Sequence, residues 1–276
     1  HRSAHGWDQA AVNGGITMRQ STTVLMLALT SGLFFAAGCT PATEATSTDE
    51  PVQATATATA APSPTPDVRA ELVAALQRSH GAAHRYAVRG NLPEGQKVNG
   101  TGAFDPKKRR FQTTISVTGG KYPSAGSRIV IGNDSYVRPS DDKDWVHVDL
   151  KRVKRDDPFL RFDWVDPTGL KAFTSSIASV DRVDPHTYTG RFDPTGKDAT
   201  SFLPVGAPSI VSIGIRLSPF TITTNDQGWV TSIKVELSPS EGPKLTLTTT
   251  MKDHGKSLKI NAPARAGEAA DFYYRK

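Results

Sequence analysis

The sequence has a single cysteine and no apolar run of membrane-spanning length. Cys39 is the only cysteine among 276 residues, which excludes an internal disulfide. The longest apolar segment, 24–37, falls short of the about 20 residues that a spanning helix needs, and no basic stop-transfer cluster follows it. An extracytoplasmic location therefore has to be inferred from a targeting signal rather than from cysteine pairing.

The sequence also lacks a convincing catalytic constellation. It contains no Gly-x-Ser-x-Gly elbow and no His-Glu-x-x-His pair. His80 and His84 have the spacing of two metal ligands on one helix face, but Gly81 lies between them where a helix should stop, and no third ligand is suggested nearby. We therefore predict a solvated helix end here, no metal site, no cofactor and no enzymatic activity.

The N-terminal part has the composition of an export signal. Met18 and Arg19 supply a short basic region, and 24–37 supplies an apolar segment of secretory length, which predicts a signal peptide over 18–38. A signal peptide should begin near its basic region, so residues 1–17 are expected to be a mis-called start with no structural role.

The residues that close this segment resemble a lipobox. Leu33 to Cys39 read LFFAAGC, with small residues directly before the cysteine. In bacterial lipoproteins diacylglycerol is attached to such a cysteine, and cleavage leaves it as the new N-terminus. The resemblance implies a lipid anchor at Cys39 and a location on the extracytoplasmic face of the cell membrane. The alternative is an ordinary signal peptide in which Cys39 is incidental.

A polar spacer occupies 39–66. Segment 54–66 consists of Ala, Thr, Pro and Ser without any large apolar side chain. Such a composition cannot bury enough surface to offset the entropy of ordering it, and alternate prolines favour extended polyproline II. The sequence thus predicts a lipidation site followed by a disordered, semi-stiff tether.

Residues 67–276 have the length of one large domain and a moderate excess of basic residues. The whole chain carries a formal charge of +6; two basic and four acidic residues precede position 67, so the remainder carries +8. The basic residues are scattered along the sequence. This charge suits contact with anionic headgroups or cell-wall polymers, whereas nucleic acid is not an expected partner of an exported chain.

The periodicity of this domain predicts an α+β fold. Asp67 has the character of a helix N-cap, with Leu72 and Leu76 on one face of a helix that ends near Gly81. Most of the chain beyond Gly81 alternates at period two, as strands do, except for a second helix expected after Asp166 with Leu170, Phe173, Ile177 and Val180 on one face. We expect a single large twisted antiparallel sheet, a half-barrel, covered on one face by a few helices.

Four segments of this domain resemble the LppX/LprG-type bacterial lipoproteins, which share a half-barrel fold with LolA and LolB. They are 145–149 (WVHVD), 166–170 (DPTGL), 188–193 (YTGRFD) and 253–263, and the similarity runs over about 67–271. Members of that family bind lipids or lipoglycans between sheet and helices and move them across the envelope. The resemblance thus implies that 67–276 is a lipid-binding domain.

We therefore predict a membrane-anchored protein that binds an acyl-chain-bearing lipid or lipoglycan. Whether it also transfers that lipid is left open by the sequence. Hydrophobic burial alone could hold such a chain, since each methylene contributes about 0.8 kcal/mol. The alternative is an anchored interaction or scaffold module with a filled core, serving an envelope transporter or enzyme. The residues expected to line a cavity are Leu72, Leu76, Ile115, Val117, Ile129, Ile131, Phe173, Ile177 and Ile233.

Overall fold

The computed structural model describes residues 67–120, 123–140, 143–154, 157, 160–194, 200–201, 210–211, 217–239 and 242–274. The predicted signal peptide, Cys39 and the tether lie outside these residues. Within the described ranges, no helix is long and apolar enough to cross a membrane.

Two α-helices and fourteen strands make up the described fold. The helices are α1 (Val68–Gly81) and α2 (Leu170–Ser176), and short 3₁₀ turns occur at Pro93–Gly95 and Asp271–Tyr274. The first six strands are β1 (His84–Asn91), β2 (Lys97–Asp105), β3 (Arg110–Thr118), β4 (Ser124–Ile131), β5 (Asp134–Arg138) and β6 (Val146–Asp149). The others are β7 (Ile177–Asp184), β8 (Thr187–Phe192), β9 (Thr200–Ser201), β10 (Ile210–Val211), β11 (Ser218–Thr224), β12 (Val230–Leu237), β13 (Leu245–Lys252) and β14 (Gly267–Glu268).

Twelve of these strands form one sheet, which confirms the predicted α+β class. Its order is β14-β6-β5-β4-β3-β2-β1-β13-β12-β11-β8-β7, so β1 lies in the middle beside β13. Neighbouring strands are antiparallel except at one edge, where β14 pairs with β6 in parallel. The strands β9 and β10 form a separate two-stranded pair.

The first helix forms where its sequence predicts it. The Asp67 carboxylate accepts hydrogen bonds from the backbone N–H groups of Arg69 and Ala70, which satisfies donors that an uncapped helix would leave orphaned. Leu72 and Leu76 lie on the side of the helix that faces the sheet, and both are completely buried. This burial supplies the tertiary support that a single fourteen-residue helix needs.

The second helix is shorter than expected. The predicted face continued through Ile177 and Val180, but α2 ends at Ser176 and both residues belong to β7. The hydroxyls of Thr174, Ser175 and Ser176 all donate to carbonyls three or four residues earlier. These local bonds compete with helix continuation. A spacing of three fits a helix, and in β7 it also leaves both residues on the inner face because the pairing with β8 is irregular between Ile177 and Ser179.

The helices cover one face of the sheet, here called the inner face. The largest hydrophobic cluster joins Leu72, Leu76 and Phe173 from the helices to inner-face residues of the strands. The opposite, outer face carries mostly polar side chains. A C-terminal segment crosses part of it and buries Leu258 and Ile260 against Ala103 and Ile129.

Candidate ligand-binding site

The inner face brings together seven of the nine predicted cavity residues. They belong to the main hydrophobic cluster or pack against it: Leu72, Leu76, Ile115, Val117, Phe173, Ile177 and Ile233. All are buried except Ile115, which is partly buried. The hydrophobic periodicity therefore locates a common apolar face; whether it lines a cavity remains a prediction.

Ile129 and Ile131 lie on the outer face, contrary to the expectation that they line the same cavity. Successive strand residues point to opposite faces, and their neighbour Val130 is the one that joins the main cluster beside Phe111. Ile129 instead packs against the cluster containing Leu258 and Ile260. The two isoleucines were assigned by hydrophobicity, which could not show that a C-terminal segment covers the outer face.

The inner face also holds a buried cation that the sequence did not reveal. Arg128 is 7 % exposed, its Nε donates to the hydroxyl of Ser135 over 3.1 Å, and its Nη2 donates to the carbonyl of Leu160 over 2.6 Å. Burial lowers the pKa of Arg128 to about 10, so it stays charged at neutral pH. Its guanidinium lies 5.2 Å from the Phe162 ring centroid. Arg128 therefore ties the segment around 160–162 to the inner face.

Aromatic rings cover two regions of the inner face. At one, Phe104, Phe111, Phe162 and Trp164 follow one another with centroid separations of 6.5, 5.1 and 4.7 Å. At the other, Phe173 of α2 meets Phe192 and Phe220 in edge-on contacts of 5.0 and 5.6 Å. Such tilted and edge-on geometries are typical of packed aromatic clusters.

The end of α1 is only partly solvated, because it lies beside a stack of planar side chains in which His84 is buried, His254 and Trp229 are half-buried and Arg78 is exposed. The ring of His84 is completely buried and stacks on His254 at 6.0 Å, and His254 stacks on Trp229 at 5.1 Å. The guanidinium of Arg78 lies 5.8 Å from the Trp229 ring. Burial, together with the nearby His254 and His80, lowers the pKa of His84 to about 4. The hydrogen bond to the carbonyl of Ala82 raises this pKa but is outweighed.

His80, beside this stack, makes a local contact. His80 Nε2 contacts the carbonyl of Val165 at 3.0 Å, so it is engaged in a local hydrogen bond. Among the residues that the structure describes, no group of three or more histidine, cysteine, aspartate or glutamate side chains is arranged to hold a metal ion.

Another histidine, His147, lies on the outer face between two carboxylates. His147 contacts Glu268 through Nδ1 at 2.9 Å and Asp134 through Nε2 at 2.9 Å. Partial burial alone would lower the pKa of His147, but the hydrogen bonds to Glu268 and Asp134 outweigh it and raise that pKa. His147 thus forms a structural ion-pair site that joins β14 to β6.

Comparison with known proteins yields a distant structural likeness. No protein-family model and no curated protein matches the sequence. An uncharacterized conserved protein from Thermus thermophilus is 10 % identical with a TM-score of 0.38, covering 72 % of this chain and 97 % of its own. A LolA superfamily protein from Nitrosomonas europaea is 9 % identical with a TM-score of 0.25, covering 67 % and 93 %. At these TM-scores, neither likeness carries a conclusion about function.

Proposed function

We propose that the domain is a carrier or binding protein that holds an acyl chain between its sheet and its helices. The observation that supports it is that the sheet is much wider than the two helices that cover it. Twelve strands at about 4.8 Å spacing extend about 50 Å, whereas two helices of about 10–12 Å diameter cover less than half of that. The apolar side chains beyond the two helices must pack against something other than α1 and α2, and the proposal assigns part of that role to an acyl chain.

The part of this face that neither α1 nor α2 covers lies on the N-terminal strands. Among strands, α1 packs against β7 and β12, which belong to the C-terminal half of the sheet. Apolar side chains nevertheless continue on the inner face of β2 and β3, where Val98 and Val117 are buried by other side chains and Ile115 is partly buried. Phe162 and Trp164 border this region from the connection before α2. We assign the acyl chain to the space between α1 and these two aromatic residues.

Filling this region should weaken binding. In Ile115→Trp the larger ring would occupy the proposed site, and we expect uptake of a fluorescent fatty acid to fall by about tenfold, as removal of one to two buried methylenes would. The control is Ile131→Trp, which adds the same ring to the outer face of the neighbouring strand. Equal uptake by the two variants would contradict the proposal.

The second candidate, a scaffold with a filled core, has one observation in its favour. A Cβ atom added to Gly102 would lie 2.1 Å from the Tyr86 ring, and one added to Gly100 would lie 2.9 Å from Val88. The space above these inner-face glycines is therefore occupied by neighbouring side chains. A chain that neither takes up fatty acid nor retains lipid would be assigned to this class.

The proposal includes the lipid anchor at Cys39 and a location on the extracytoplasmic face of the cell membrane. Its support is the LFFAAGC segment and the tether-like composition after it. Metabolic labelling with palmitate should mark the full chain and disappear in Cys39→Ala. Labelling that survives this substitution would refute the anchor.

A further inference from the structure

The outer face of five adjacent strands, β1, β13, β12, β11 and β8, is unusually rich in hydroxyl and basic side chains. We call it the threonine face. Its hydroxyl side chains are Thr187, Thr189, Thr221, Thr223, Ser232, Thr246, Thr248 and Thr250. Its charged side chains are Arg85, Arg89, Arg191, Lys234, Lys252 and Glu236. Ala87, Asn91 and Pro219 are other strand positions on this face, and the hydroxyl of Thr231, at the irregular pairing between β11 and β12, contacts that of Thr223.

The composition of the threonine face excludes an apolar partner. It has no aromatic side chain and no aliphatic side chain larger than alanine apart from Pro219, so it offers neither a hydrophobic anchor nor a platform for stacking sugar rings. Five basic side chains stand against one acidic side chain. A partner that fits must therefore be anionic and must bind without burying large apolar groups.

The cations of this face are only partly neutralised by the protein. Lys234 pairs with Glu236 at 2.6 Å, and Arg85 lies 3.7 Å from Asp253. Arg89 and Lys252 are exposed and make no ion pair within the described part of the chain. Arg85 and Lys252 stand directly opposite each other on neighbouring strands, so two cations share the single nearby carboxylate of Asp253.

We propose that the threonine face docks on anionic lipid headgroups of the membrane that holds the anchor, an assignment that rests on the proposed lipidation of Cys39. Five strands make a face about 20–24 Å wide, which suits a planar surface rather than a single bound molecule. The segment 39–66 in polyproline II form would reach about 80 Å, enough for the domain to turn this face to the bilayer. The helix-covered inner face would then point away from the membrane.

Vesicle binding by an unlipidated chain tests this docking separately from the anchor. The full chain carrying Cys39→Ser is sedimented with vesicles of phosphatidylcholine containing phosphatidylglycerol, and with vesicles of phosphatidylcholine alone. The test variant adds Arg89→Glu, Lys234→Glu and Lys252→Glu. The control adds Lys107→Glu, Lys151→Glu and Lys171→Glu, three exposed positions off the threonine face with the same change in net charge.

We expect binding to the anionic vesicles alone, weakening as salt screens the charges. Each basic residue near such a surface contributes about fivefold in affinity, so the test variant should lose about a hundredfold or more and the control less than about tenfold. Equal losses in both variants, or equal binding to neutral vesicles, would overturn the proposal. So would binding to a soluble polyanion such as polygalacturonate without binding to vesicles.

The two proposals fail in distinguishable ways. Palmitate labelling at Cys39 does not depend on the threonine face, so absent docking would leave the anchor and the acyl-chain site standing. Conversely, absent labelling would refute the anchor, and the vesicle result of the Cys39→Ser chain would then decide by itself whether the threonine face binds anionic lipid.

Discussion

At the scale of single residues, His84, which follows α1, shows how burying a titratable side chain makes the stability of the fold depend on pH. His84 is completely buried, its Nδ1 is 2.9 Å from the carbonyl of Ala82, and its Nε2 has no hydrogen-bond partner among the described residues. The contact with a carbonyl requires a proton on Nδ1, which leaves Nε2 as an acceptor in the neutral ring. Adding a second proton would place a charge in an apolar environment.

This burial predicts acid sensitivity. The pKa of His84 is about 4 in the folded protein and ordinarily 6.5. Between about pH 4 and pH 6.5, His84 is therefore protonated in the unfolded chain but neutral in the folded chain. The stabilisation is fully present above about pH 6.5 and is lost as the pH falls toward 4. The free energy of unfolding should drop by about 3 kcal/mol over this range through His84 alone.

Chemical denaturation near pH 7 and near pH 4 checks this expectation. The drop should shrink in His84→Gln, which cannot titrate, and persist in His186→Gln, which removes an exposed histidine. The groups around the ring are His80 and His254, with Arg78, Arg85 and Asp253 nearby on the adjoining elements. An unchanged drop in the His84 variant would show that another group controls acid stability.

At the scale of elements, the C-terminal strand is held to the sheet edge by few contacts. The amides of Gly267 and Ala269 donate to the carbonyls of Trp145 and His147 over 2.9 and 2.8 Å. The contacts of His147 with Glu268 and Asp134 reinforce this two-residue pairing. Because β14 covers the open edge of β6, it also protects that edge from pairing with other chains.

Raising the pH should loosen β14. The pKa of His147 is raised in the folded protein, so its contribution is fully present below the ordinary histidine pKa and is lost as the pH rises through the folded value. The pair is partly exposed, so the amides of Gly267 and Ala269 should exchange at most about fivefold faster after correction for intrinsic rates. Hydrogen exchange followed by mass spectrometry measures this.

Glu268→Gln removes one carboxylate and should reduce the pH dependence of that exchange. Asp271→Asn is the matched control, because it removes the nearby pair with Arg152, which does not involve His147. If both variants keep the full pH dependence, His147 does not hold β14 in place.

The elements also show which parts of the fold could be predicted from the sequence. The first helix was predictable because its cap and its apolar spacing agree, and the antiparallel strands because alternation is a strong local signal. The end of α2 was not, since Ile177 and Val180 have helical spacing and the irregular pairing that puts both on one face of β7 carries no sequence signal. The pairing of β14 was not either, because two residues carry no periodicity and their partner lies far along the chain.

At the scale of the whole molecule, the sequence predicted the class of fold and the composition of one apolar face. It placed Ile129 and Ile131 on that face because hydrophobicity alone does not identify which face is inner. It missed Arg128 because a cation rarely occupies a buried strand position. Both outcomes are explained by long-range partners: the C-terminal segment over Ile129, and the carbonyl of Leu160 above Arg128.

The central claim is that the inner face holds a lipid, and native mass spectrometry of the gently purified full chain tests it most directly. We predict a mass above that of the denatured, covalently modified chain, from lipid that organic extraction removes. The excess should be retained in Ile131→Trp and lost in Ile115→Trp. A chain with no excess mass, together with no uptake of fluorescent fatty acid, would contradict the claim and favour a scaffold with a filled core.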